Sequence, residues 1–138
     1  MATWRLLDYV TEENRNLTQE WYATQATEIR AEFDVTVAIL EQTDDWTDPL
    51  IDQSKVLTGR HVGLSEVKFY IDEPRPRAHP MRRRFRTPGL YRPVEREFIF
   101  ILGCEKRGLN TLPAGAFDDA LRYKAEFEQG RGRLNDHI

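Results

Sequence analysis

One cysteine, Cys104, stands in the 138 residues, which excludes an internal disulfide and a cysteine-built zinc site. The three histidines, His61, His79 and His137, share no ligand spacing, so neither a metal nor any other cofactor is expected. No run of about 18 apolar residues occurs, and no membrane span is expected. The start, Met1 to Arg5, lacks the apolar stretch of a signal peptide, so the expected compartment is the cytoplasm. The Gly-x-x-x-x-Gly-Lys loop that cradles nucleotide phosphates is absent as well. Repeats and low-complexity tracts are missing apart from a proline–arginine stretch at residues 74–80.

What is present is a globular composition, 40% hydrophobic and 31% charged, long enough for one domain over 1–138 with a sound core. The net charge of −3 conceals a division. Residues 11–52 carry eleven acids and two bases, whereas residues 53–138 carry eleven acids and seventeen bases. A basic working surface backed by an acidic region is one reading, and solvated acidic helix faces are the other.

The basic half is organised around three apparent strands. In Leu64 to Asp72, Val67, Phe69 and Ile71 alternate with Glu66, Lys68, Tyr70 and Asp72, the period of a half-buried strand. Met81 to Tyr91 forms the second strand; with Phe85 inward, Arg84 and Arg86 share its outer row. Glu97 to Cys104 contains Phe98-Ile-Phe-Ile-Leu, apolar throughout, as in a strand covered on both faces. Before them, Thr3 to Val10 reads as an edge strand. Leu17, Trp21, Ile29, Phe33, Val37 and Leu40 mark either one long helix or a helical pair. Asn16 and Gln19 resemble a cap at its start. Residues 33–37 are β-branched enough to weaken the helix there. Ile51 to Arg60 reads as a connection, residues 72–80 as a proline-rich loop, and residues 105–110 as a polar turn. Pro113 precedes a final helix whose face holds Phe117, Ala120, Leu121, Lys124 and Phe127, stopped by Gly130 and Gly132.

Seven arginines, Arg75, Arg77, Arg82, Arg83, Arg84, Arg86 and Arg92, fall within 18 residues that contain no acid. Guanidinium forks match phosphate oxygens, and Tyr70 and Tyr91 lie among them as stacking planes for single-stranded RNA. The plainer reading is a solvated strand face tied by salt bridges to the acidic half. Cys104 reads as a buried thiol at a strand end rather than a nucleophile.

Taken together, the chain resembles the RelE/ParE superfamily of toxins, nearest its HigB-like, phage-derived branch. The resemblance lies in Leu57-Thr-Gly-Arg-His-Val-Gly-Leu-Ser-Glu-Val-Lys-Phe, in Arg84-Phe-Arg, in Phe98 to Arg107 with its basic doublet, and in Thr111-Leu-Pro followed by Ala120-Leu-Arg-Tyr. It implies an α+β fold: N-terminal helices on a small twisted antiparallel sheet of three to five strands, with a C-terminal helix. It also implies a toxin neutralised by a separately encoded, helix-turn-helix antitoxin. Many members cut messenger RNA on the ribosome without metal. Lys68, Arg84, Arg86, Tyr91 and Lys106 are then the catalytic candidates; Tyr70, Arg75, Arg77, Arg82, Arg83 and Arg107 would hold the RNA, and His79 is a candidate by chemistry alone. The alternative is a non-catalytic phage or mobile-element protein of the same scaffold that binds a host protein or only its antitoxin.

Overall fold

The computed structural model describes residues 3–73 and 81–138, with the side chain of Met81 left out. The chain begins with strand β1 (Arg5–Val10), followed by helices α1 (Leu17–Ala23) and α2 (Thr27–Glu41). Strands β2 (Ser54–Val56), β3 (Ser65–Glu73), β4 (Met81–Arg92), β5 (Glu97–Phe100), β6 (Cys104–Arg107) and β7 (Asn110–Leu112) come next. Helix α3 (Ala116–Glu128) and strand β8 (Arg133–Asp136) close the described chain.

The sheet corrects the expectation of three to five antiparallel strands. Eight strands form one mixed sheet in the order β2-β3-β4-β5-β1-β8, and the β6–β7 hairpin extends it from β4. β1 is no edge: it runs parallel to β5 and antiparallel to β8. Leu6, Leu7, Asp8, Tyr9 and Val10 are all buried, as a strand covered on both faces requires. The additional strands are short, exposed and polar, without the alternation that marks a strand in sequence.

Each face of the sheet carries its own core. Trp21 from α1 and Ile29, Phe33, Val37 and Leu40 from α2 pack on Val67, Phe69, Phe85, Phe98 and Phe100. On the opposite face, Ala116 and Ala120 of α3 lie on Leu7, Tyr9, Leu64, Leu90, Ile99 and Ile101. The helical region is therefore two helices. Asn16 Oδ1 caps α1 by accepting from Gln19 N at 3.0 Å, and Thr24 ends it by donating to Trp21 O at 2.7 Å. The β-branched run does not interrupt α2. Thr36 bonds back to Glu32 O at 2.8 Å, and burial of Phe33, Val37 and Leu40 outweighs the propensity deficit.

Pro88 sits where the partner of β4 changes. β5 pairs with Gly89–Arg92 and β6 with Arg84–Arg86, so no ladder N–H is demanded of the proline on that edge. Its carbonyl accepts from Ile101 N at 3.1 Å as the chain steps from β5 to β6. In that step Gly103 lies beneath the Trp21 indole, and an added Cβ would come within 2.2 Å of the ring. Gly103→Ala is expected to cost about 2 kcal/mol by overpacking, read as a lower midpoint in urea unfolding followed by tryptophan emission.

Candidate nucleic-acid interface

Register decides which cations share a surface. In the antiparallel pairing of β3, β4 and β6, Tyr70 lies opposite Arg84 and Arg84 opposite Lys106. The neighbouring row is Lys68, Arg86 and Cys104, and Asp72 faces Arg82. Period two places all of these on the α3 side of the sheet, at the end of the strands away from the α3 core. Lys68, Tyr70, Arg82, Arg84, Arg86 and Lys106 thus share one side of the sheet; alternation along the strands pointed to Lys68, Tyr70, Arg84 and Arg86 but not to Arg82 or Lys106.

Their environments differ. Arg86 is only 6% exposed: it donates to Phe85 O at 2.9 Å, lies against the Tyr70 ring at 5.5 Å, and meets Glu66 at 3.4 Å. That last contact is Coulombic, because the buried Arg86 Nε has no hydrogen-bond partner. Arg82 takes the other approach to Tyr70, 5.1 Å from the ring centre, and donates to Asp72 at 2.9 Å. Lys68 stands 3.7 Å from Asp52. Arg84 and Lys106 remain exposed, and neither side chain has a hydrogen bond or ion pair among the described residues. Like charges placed directly opposite on neighbouring strands repel. An anion shared between the two relieves that repulsion.

The remaining candidates lie elsewhere. Arg83 and Arg107 point to the α1 side, where both bind Glu105. Arg83 donates from Nε and Nη2 at 2.9 Å each and reaches Glu73 at 3.2 Å, and Arg107 donates at 3.1 Å. The Arg83 guanidinium holds the Glu105 carboxyl below its ordinary range. Tyr91 is on that side too, stacked 5.2 Å from Trp4 and 5.7 Å from Trp46, with burial raising its phenol pKa. It is not joined to the cationic face. Arg92 pairs with Glu95 and Glu97. Arg75, Arg77 and His79 lie outside the described residues.

Sequence reasoning missed Glu66. Its carboxyl, 6% exposed, sits at the edge of the cationic row, and burial raises its pKa although Arg86, Lys106, Lys55 and Lys68 all pull it down. Its position on the Lys68 row was the available signal. No group of three metal-ligating side chains occurs among the described residues: His61 bonds Asp118 at 3.0 Å and His137 bonds Asp8 at 2.7 Å.

No family model, curated protein or solved structure matches this chain. What the site offers is charge: among the described residues, two cations without partners at the centre, bordered by Arg82, Arg86 and Lys68, whose carboxylates Asp72, Glu66 and Asp52 lie at the margin. It also holds Cys104, fully buried, with a thiol that burial pushes up to about 12. Iodoacetamide at neutral pH is expected to leave native Cys104 unmodified and to label it in urea, as mass spectrometry would show.

Proposed function

We propose that the β3–β4–β6 face binds the phosphate backbone of single-stranded RNA, and that the chain is a toxin of the RelE/ParE kind acting on messenger RNA at the ribosome and neutralised by a cognate antitoxin. The observation that carries this reading is the exposed Arg84, with no side-chain partner among the described residues, set directly opposite Lys106. Multiple cations around one phosphate supply both affinity and stabilisation of charge growing on its oxygens.

Cleavage by such a toxin joins the ribose 2′-oxygen to phosphorus and expels the 5′-oxygen, leaving a cyclic phosphate and a 5′-hydroxyl. Arg84 and Lys106 would hold the phosphoryl oxygens. Lys68, on the same face, is the candidate that donates a proton to the departing 5′-oxygen. Arginine stays protonated and cannot accept the 2′-proton, which passes to solvent water as the 2′-oxygen bonds phosphorus; solvent then reprotonates Lys68.

One observation favours a second reading, RNA binding without cleavage. Tyr91 is held on the opposite face by Trp4 and Trp46, and Arg86 is buried against Glu66, which leaves the face rich in charge and thin in proton carriers.

Induced expression of the chain alone separates these readings. The toxin reading predicts growth arrest that Arg84→Ala/Lys106→Ala relieves, with new transcript ends mapped by primer extension. Arrest with intact transcripts assigns binding alone, and normal growth on expressing the wild-type chain contradicts both.

A further inference from the structure

An open groove of about 620 Å³ lies away from the cationic face, between α1, the β6–β7 hairpin and the start of α3. Its lining includes the apolar Trp21, Leu102, Leu112 and Tyr123, of which Trp21 and Leu102 show only an edge to the groove, beside the polar Thr24 and Gln25. Arg83, Glu105 and Arg107 form one end. The same three residues also line a second depression, of about 490 Å³, whose other wall holds Arg82, Arg84 and Lys106. The groove and the cationic face are therefore contiguous around the end of β4 and β6, with a shared wall rather than a separate surface.

We propose that this groove seats a nucleobase of a single-stranded RNA whose adjoining phosphate rests on Arg84 and Lys106. The inference rests on the RNA-binding reading of the cationic face and adds a place for the base. Single-stranded bases are held by aromatic or apolar planes together with a few groups for their polar edges. The groove has both. Gln25, in the turn after α1, donates from Nε2 to Trp21 O at 3.1 Å and to Thr24 Oγ1 at 3.0 Å, which leaves Oε1 as an acceptor with no partner among the described residues. The charges at the rim are internally balanced, Arg15 by Glu20, and Arg83 and Arg107 together by Glu105 and Glu73, so a neutral base suits the groove while its phosphate suits the adjacent face.

The test uses the intact protein and labelled pentanucleotides of uridine, cytidine or adenosine, with an abasic ribose-phosphate pentamer as control. Fluorescence anisotropy gives affinity, and fluorotryptophan ¹⁹F NMR gives the contact, because only Trp21 of the three tryptophans lines the groove. At least one base-bearing oligomer is expected to shift the Trp21 resonance and to lose about tenfold in affinity in Gln25→Ala/Leu112→Ala. The abasic oligomer is expected to bind that variant and the wild type equally, and to leave Trp21 unmoved. RNA that binds, needs Arg84 and Lys106, yet leaves Trp21 unshifted and ignores the variant overturns the base site while sparing the cationic face. Failure of every oligomer to bind at low salt overturns both. A Trp21 shift produced by a leucine-rich helical peptide and by no oligomer assigns the groove to protein and overturns the proposal.

Discussion

Glu66→Ala is expected to lower the stability of the fold by about 3–5 kcal/mol, although Glu66 lies at the edge of a surface read as functional. Glu66 and Arg86 are each 6% exposed, and no other carboxylate among the described residues is paired with Arg86. Removing the acid strands a buried cation whose Nε already lacks an acceptor. Replacing both residues by methionine removes both desolvation penalties, so the double variant is expected to recover most of the loss. Urea unfolding of the two single variants and the double one checks this. A loss below about 1 kcal/mol in Glu66→Ala would mean that the pair contributes nothing beyond a surface contact.

The same carboxyl gives a pH signature with a defined sign. Its folded pKa lies above the ordinary 4.5, chiefly through burial, so the native state holds this proton more tightly than the unfolded chain. Its contribution is full below 4.5 and is lost as pH rises through the raised value. The stability of the wild type relative to Glu66→Gln is thus expected to fall as pH rises above that point. Glu105 and Asp72, lowered by Arg83 and Arg82, act in the opposite sense at lower pH, and comparison with the glutamine variant cancels them.

Phe33→Ala is the second large effect, about 4 kcal/mol. The ring is fully buried at the centre of the α2 face, with ring centres at 5.7 Å from Trp21, 5.7 Å from Phe69, 5.8 Å from Phe100 and 5.7 Å from His137. Truncation opens a cavity among rigid aromatic groups that collapse poorly. His137 bonds the buried Asp8, which also accepts from Asn16 and Gln19, so loosening Phe33 also loosens the attachment of β8 to β1. Hydrogen exchange at β8 amides is expected to rise more than at β3. Equal protection in the two strands would show that the attachment of β8 is independent of Phe33.

How much of this was legible in the chain follows from the range of the interactions involved. Alternation fixed the faces of β3 and β4, and it placed Lys68, Tyr70, Arg84 and Arg86 together. The same parity sends Tyr91 and Arg83 to the side of Phe85, so grouping them with the site overlooked the period of two. The breadth of the sheet was not legible. β2, β7 and β8 are short and polar, and their pairing depends on where the hairpins and β1 bring them rather than on their own residues. Nor was the Glu66–Arg86 pair legible, because it depends on the strand register, which a proline–arginine connection does not specify.

On the proposed reading, Arg84 and Lys106 meet RNA phosphates. The most direct test is the salt dependence of affinity for a single-stranded RNA, measured on wild type and Arg84→Ala/Lys106→Ala. Loss of two phosphate contacts should flatten the slope of log affinity against log salt by about 1.4. Parallel lines of equal slope would place the phosphates elsewhere and contradict the account.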